Sequence, residues 1–271
     1  MLCLSDVIAR GAHSQLELNT AVTLEAHSQN TSAIASLIDH TLLKPEATEA
    51  EIVRLCREAD KFRFASVCVN PCWVAHARHV LEGAGVAICT VIGFPLGANE
   101  PTTKLKEAEL AIEHGATELD MVQNIGALRS GNFEFVRNEF AQLAELAHSN
   151  RTLLKIIIET SLLSREQKLE ACALAKAAGA DFVKTSTGFS GSGATVEDVS
   201  LMREAVGDAL GVKASGGVRS LAALREMVRA GANRIGTSSG VSILEELRAG
   251  EQAGGLAQSA EASAAATQEP Y

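Results

Sequence analysis

Two lysines stand where amine chemistry is possible: Lys184 in Asp181–Thr187 (DFVKTST) and Lys213 in Gly211–Gly217 (GVKASGG). Each lies among apolar and small residues and runs straight into a turn rich in Gly, Ser or Thr. A lysine pressed into a barrel interior near a second cation binds its proton less well, because its ammonium is poorly solvated and repelled. The free amine can attack a carbonyl carbon and form a Schiff base. A single lysine of this kind is usually a structural ion-pair partner. Two on neighbouring strands, each ahead of a turn able to hold phosphate, favour an aldolase-like site.

Other polar residues fall in the same kind of segment. Asp120 is an acid inside an otherwise apolar run, Glu118–Asn124 (ELDMVQN). Lys155 and Glu159 share one parity in Leu153–Thr160 (LLKIIIET), so both could point inward. Buried charges at this density need partners; the alternative reading is an ion-pair network that merely fills the interior. Three loops suit phosphate: residues 188–195 (GFSGSGAT) ahead of a helix N-terminus, Ser215–Gly217 with Ser220, and Gly236–Gly240 (GTSSG). Cys72, His76 and His79 have i, i+4, i+7 spacing, which could suit a metal. Barrel helices face outward, however, and nothing obviously completes the set. His40 beside Asp39 at a strand end is the stronger histidine candidate.

The elements that must hold these residues alternate from about Ser36 onward. Eight strand candidates are Ser36–Thr41, Phe64–Asn70, Val86–Phe94, Glu118–Asn124, Leu153–Thr160, Asp181–Thr187, Gly211–Gly217 and Arg234–Ser239. Helical periodicity fills the gaps, as in Glu51–Phe62, Trp73–Glu82, Thr103–His114, Phe133–His148, Arg165–Ala178, Val196–Leu210 and Leu221–Ala230, with a short last piece near Val241–Arg248. Thr48 with Glu51, and Ser164 with Gln167, have capping-box spacing. Strands alternating with helices imply parallel pairing and right-handed crossovers, and eight such units favour a closed (β/α)8 TIM barrel as a single domain. Its catalytic residues would lie at the C-terminal strand ends. Residues 1–33 read as an extension with a short helix or partial disorder, 34–249 as the barrel, and 250–271 as a disordered tail ending in the chain's one tyrosine, Tyr271.

Composition narrows the partners. Of 271 residues, 46% are hydrophobic and only 4% aromatic, so the core is aliphatic. A net charge of −9 argues against nucleic acid and anionic membrane surfaces but leaves room for a small phosphorylated substrate. Six cysteines (Cys3, Cys56, Cys68, Cys72, Cys89, Cys172) are scattered without CxxC spacing, which fits reduced thiols. With no signal-peptide pattern at the N-terminus, a cytoplasmic protein is expected.

Taken together the motifs resemble those of the deoxyribose-phosphate aldolase family of class I aldolases. The matching stretches are Leu37–Pro45, Ser66–Pro71, Val91–Ala98, Glu118–Asp120, Lys155–Thr160, Phe182–Gly188, Lys213–Arg219 and Arg234–Ser239, in family order over roughly Ala35 to Ile243. The resemblance implies reversible cleavage of 2-deoxy-D-ribose 5-phosphate to D-glyceraldehyde 3-phosphate and acetaldehyde, with no metal and no cofactor. It makes Lys184 the Schiff-base lysine, Lys213 the second lysine whose charge favours the free amine and which can move protons, and Asp120 the acid/base residue. Lys155 would steady the proton network. Asp39 and Thr41 match positions near the sugar hydroxyls; Thr187, Gly188, Gly216, Gly217, Ser238 and Ser239 match the phosphate-facing rim. Phe189 departs from family members that carry a lysine there. Some members end in a tyrosine that assists proton transfer, a role Tyr271 would fill; an inert tail end is the alternative. Such barrels are often homodimers or higher homo-oligomers. Two rivals stay open: another Schiff-base aldolase or transaldolase of a phosphorylated sugar, and a non-catalytic barrel that binds a sugar phosphate.

Overall fold

The computed structural model describes residues 31–250; the expectations for the N-terminal extension up to residue 30, for the tail and for Tyr271 lie outside them. After α1 (Thr31–Ala35), strand and helix alternate: β1 (Ile38–Leu42), α2 (Glu49–Phe62), β2 (Ser66–Val69), a 3-10 turn at Pro71–Trp73, α3 (Val74–Val80), β3 (Ala87–Ile92), α4 (Pro101–Glu113) and β4 (Glu118–Val122). The second half runs through α5 (Ile125–Arg129), α6 (Phe133–Ser149), β5 (Leu153–Ile157), a 3-10 turn at Thr160–Leu162, α7 (Arg165–Ala177) and β6 (Phe182–Lys184). It ends with α8 (Val196–Val206), β7 (Gly211–Ser215), α9 (Leu221–Arg229) and β8 (Arg234–Thr237), followed by helical backbone over residues 240–250. All pairs are parallel, and β8 returns to β1 through the register Ile38↔Ile235, closing the barrel.

The expected eight strands are all present, each shorter than its run suggested. Asp181–Thr187 contributes only Phe182–Lys184 to the ladder, although the Thr185 N–H still donates to the Lys213 carbonyl at 3.0 Å. Leu153–Thr160 leaves the strand at Ile157 and takes a left-handed turn at Glu159, φ 54°. The short helix α5 was not foreseen; Asn124 caps it, its side chain accepting the Ala127 N–H at 2.9 Å.

Period-2 alternation sorts the strand side chains into two environments. Ile38, Val67, Leu119, Leu154, Val183, Val212 and Ile235 pack outward on apolar helix faces that include Ile52, Phe140 and Val199. The alternate set faces the axis and is dominated by charge and sulfur, with a small apolar group of Leu43, Cys68, Cys89 and Val91 beside it. Both expected capping boxes form: the Thr48 N–H donates to Glu51 at 2.8 Å and the Ser164 N–H to Gln167 at 3.0 Å. They fix where α2 and α7 start, each contributing roughly 1 kcal/mol. In the outer shell Lys104 of α4 donates to Glu139 of α6 (2.7 Å) and to the Val122 carbonyl (2.8 Å), tying down the end of β4.

Candidate active site

Parallel pairing puts the chemistry-bearing residues side by side. Asp120 is the register partner of Lys155, and Lys184 that of Lys213. The side chains then converge on one carboxylate. Asp120 Oδ2 accepts from Lys184 Nζ at 2.7 Å and from Lys213 Nζ at 2.7 Å, while Oδ1 accepts from Lys155 Nζ at 3.0 Å. Lys184 is only 3% exposed, and Asp120, Lys155 and Lys213 are fully buried.

Following the contacts outward closes a ring. Lys213 reaches Asp39, Asp39 pairs with Arg234 (2.6 Å), Arg234 with Glu118 (3.1 Å), Glu118 with Lys155 (2.5 Å), and Lys155 with Asp120. Cations and anions alternate around it: Arg234, Lys213 and Lys155 against Asp39, Asp120 and Glu118. Lys184 hangs from Asp120 as the one charge without a matching anion. With Lys184 as the free amine the cluster is neutral.

These contacts govern proton occupancy. Burial alone would raise the Asp120 pKa, but the ammonium groups of Lys155, Lys184 and Lys213 overcome it and hold the carboxyl well below the usual range. Asp39 is lowered in the same way by Lys213, Lys155 and Arg234 against its own burial. Burial pulls Lys155 and Lys213 down, yet the anions around them outweigh it and both are held above an ordinary lysine. Lys213 is thereby held as a positive charge against Asp120 and Asp39. Cys89 touches both Asp120 (3.1 Å) and Lys155 (3.5 Å), and burial, the Cys68 contact and Asp120 push its thiol up.

The rim is built from three loops. Ala194 N–H donates to the carbonyls of Ser215 (3.1 Å) and Gly216 (3.0 Å), docking the β6–α8 loop on the turn after β7. Gly193 permits this approach, since a Cβ there would lie 2.0 Å from the Gly216 oxygen. Gly216 and Gly217 follow with φ of 84° and 82°, left-handed backbone that favours glycine. Gly188 and Ser238 are exposed on the same rim, and the half-buried Ser239 donates its N–H to Thr187's counterpart on β8, Thr237, at 2.9 Å. Across the mouth, Phe94 after β3 meets Phe189 after β6 edge-to-face at 5.2 Å.

Several sequence expectations change here. Thr187 is no phosphate donor: its N–H (3.2 Å) and hydroxyl (2.5 Å) both go to Glu159, and its oxygen accepts the Phe189 N–H at 3.0 Å. Asp39 does not face a sugar hydroxyl. Its Oδ1 accepts from Ser66 (2.7 Å) and Arg234, its Oδ2 contacts Lys213, and it is fully buried within the ring. Thr41 donates its hydroxyl hydrogen to the Asp39 carbonyl at 2.8 Å, leaving lone pairs only. His40 points outward to Glu58 on α2 (2.7 Å), and burial pulls its pKa down despite that partner. Cys72, His76 and His79 do not assemble: Cys72 sits exposed in the 3-10 turn, and His76 faces Glu49 at 3.8 Å. Among the described residues, the sets close enough to share a cation are Cys68, Cys89, Asp120 and Asp39, Cys89, Glu118. Both lie against lysine ammonium groups that already supply positive charge there.

The model of the DeoC/LacD family aldolases matches residues 33–247. The chain belongs to this family. A deoxyribose-phosphate aldolase of Geobacillus sp. (strain WCH70) is 59% identical over 212 residues, covering 78% of this chain and 95% of the relative. The protein of that name from Lysinibacillus sphaericus (strain C3-41) is 58% identical over 213 residues, covering 79% and 95%. Among solved structures, the tetrameric deoxyribose phosphate aldolase of Aeropyrum pernix superimposes with a TM-score of 0.77 at 36% identity, covering 83% of this chain and 97% of that one.

In this DeoC/LacD aldolase the sequence reading overlooked Glu118, Arg234, Ser66 and the Cys68–Cys89 pair as members of the site, and it named Glu159 without its partner Thr187. Glu118 could have been found from its parity with Asp120, two residues on. Arg234 gave no such signal, because only barrel closure brings it to Asp39.

Proposed function

We propose that the chain is a class I aldolase that reversibly cleaves 2-deoxy-D-ribose 5-phosphate to D-glyceraldehyde 3-phosphate and acetaldehyde through a Schiff base on Lys184. The observation that carries this reading is the lysine pair sharing Asp120 Oδ2 at 2.7 Å each, inside a barrel of this aldolase family. A binder of sugar phosphates gains nothing from a surplus buried lysine beside an already balanced ring; a Schiff-base enzyme needs that amine as its nucleophile.

Lys184 Nζ attacks C1 of the open-chain sugar, and loss of water leaves a protonated imine. Asp120, a carboxylate and therefore an acceptor, takes the C3 hydroxyl proton directly or through water. The C2–C3 bond breaks, its electron pair moves into C1–C2 and neutralises the iminium nitrogen, and C3 becomes the aldehyde of glyceraldehyde 3-phosphate. Protonation of the resulting enamine at C2 and hydrolysis release acetaldehyde and free Lys184. The iminium is the electron sink, so the reading calls for no metal or cofactor. Lys155 and Lys213 hold Asp120 in place by two hydrogen bonds, and Lys213 adds fixed charge. Backbone N–H groups of Gly188, Gly216, Gly217 and Ser238 face the phosphate, with Ser239 beside them. The exposed Phe189 brings no charge to that rim.

Incubation with the sugar phosphate, borohydride reduction and peptide mass mapping test the assignment. A stable adduct on Lys184, absent from Lys184→Ala, is expected. An adduct on another lysine overturns it.

Glu159 braces the phosphate rim through Thr187, three residues beyond the nucleophile. Glu159→Gln weakens charge-assisted hydrogen bonds of about 1.5–3 kcal/mol. KM for the sugar phosphate should rise about tenfold with kcat nearly unchanged. Steady-state kinetics check this; an equal fall in kcat and kcat/KM would show the brace acting on the chemical step instead.

The same reading includes a cytoplasmic home and self-association. The five described cysteines are all free, which suits a reducing compartment, and no described helix is long and apolar enough to cross a membrane. The Aeropyrum relative is tetrameric. The net charge of −9 makes nucleic acid an unsuitable partner.

A further inference from the structure

Glu118 and Arg234 complete the charge ring without approaching the reaction. Each is the first residue of its strand, β4 or β8, and so lies toward the barrel floor, whereas the mouth is at the strands' C-terminal ends. Arg234 makes a forked contact with Glu118, NH1 at 3.1 Å and NH2 at 3.2 Å, and its guanidinium stacks 5.5 Å over the ring of Phe182, the first residue of β6. Its side chain is 13% exposed, the most open member of the ring. Both residues connect to Asp120 through ion pairs: Glu118 through Lys155 alone, and Arg234 through Asp39 and then Lys213.

We propose that Glu118 and Arg234 are a charge-setting pair: remote from substrate, they fix the net charge of the ring and through it the protonation state of Lys184. This inference rests on the Schiff-base reading and adds to it a pair of positioning residues that act by charge. Charged and titratable groups reach the axis from every strand other than Lys184's own: Asp39 from β1, Cys68 from β2, Cys89 from β3, Glu118 and Asp120 from β4, Lys155 from β5, Lys213 from β7 and Arg234 from β8. Glu159, beyond β5, spends its charge on Thr187. Three anions balance three cations, so the ring is neutral only when Lys184 is an amine. Removing Glu118's charge leaves the ring one positive and disfavours an ammonium at Lys184. Removing Arg234's charge leaves it one negative and favours the ammonium. At the separations within the barrel and an intermediate dielectric, one unit charge amounts to a shift of about one pH unit.

The test is the pH dependence of two quantities in the full-length protein: kcat/KM for the sugar phosphate, and the rate at which cyanoborohydride traps the substrate on Lys184. For Glu118→Gln both acidic limbs should move about one unit lower; for Arg234→Met they should move about one unit higher. The double variant Glu118→Gln/Arg234→Met restores the charge count and should return both limbs close to wild type, and Arg234→Lys, which keeps the charge, should leave them there. A purely structural role lowers the plateau without moving the limbs in opposite directions. Shifts of the same sign, or active variants with unmoved limbs, overturn the proposal. If Arg234→Met does not fold, the isosteric Glu118→Gln carries the signed test alone. A wild type that forms no adduct on Lys184 removes the Schiff-base reading itself, and this inference with it.

Discussion

Asp120→Asn should lower kcat by about 10²–10⁴-fold, the usual contribution of a positioned acid or base. It should also destabilise the barrel. The carboxylate is the shared counter-ion of Lys155, Lys184 and Lys213, all buried, and an amide leaves those ammonium groups facing one another. Breaking a buried ion pair by removing one partner costs about 3–5 kcal/mol, which corresponds to a fall in Tm of roughly 10 °C for a chain of this size. Scanning calorimetry and steady-state kinetics read the two effects separately. Trapping with borohydride adds a third readout: the adduct on Lys184 should still form, because imine formation needs the amine and not the base that breaks C2–C3. Turnover near that of the wild type would remove Asp120 from the chemical step.

Lys184→Met should have the opposite profile. Turnover should fall by at least about 10⁴-fold, as expected when a covalent nucleophile is lost. Stability should be kept within about 1 kcal/mol of wild type or improve, since methionine fills a similar volume and the three-against-three ring no longer carries a surplus cation. Asp120 retains Lys155 at 3.0 Å and Lys213 at 2.7 Å. Calorimetry on the two variants side by side is the decisive comparison. If Lys184→Met melts as low as Asp120→Asn, Lys184 belongs to the balanced set and the charge count is wrong.

The barrel was legible because its signals are local. Short strand-like runs, helical periodicity between them and capping boxes at Thr48 and Ser164 each depend on a few neighbouring residues, and eight repeats of that pattern leave few topologies. The grouping of Lys184, Lys213, Asp120 and Lys155 was legible for a related reason, since neighbouring parallel strands bring equivalent positions together. The rest of the site depends on what lies between elements. Asp39 reads as a mouth residue until its oxygens are seen to accept from Ser66 and Arg234 and to contact Lys213. Thr187 reads as a phosphate ligand until Glu159, itself in a left-handed backbone conformation past the end of β5, takes both its donors. Arg234 looks like an ordinary charged residue at a strand start.

Barrel closure has a consequence for how this protein becomes active. The Asp39–Arg234 contact joins residues 195 positions apart, and it exists only once β8 has docked on β1. Contacts of such sequence separation are slow to form, because the entropy of closing the intervening chain is lost before they reward it. A partly assembled barrel can hold helices and most of its ladder while its ionic ring is still open, with Asp39 and Glu118 lacking a shared cation and the charge at Lys184 unset. No fragment shorter than the eight strands contains the balanced centre, so recovery of catalysis after unfolding reports the arrival of the last strand, and secondary structure can return well before it.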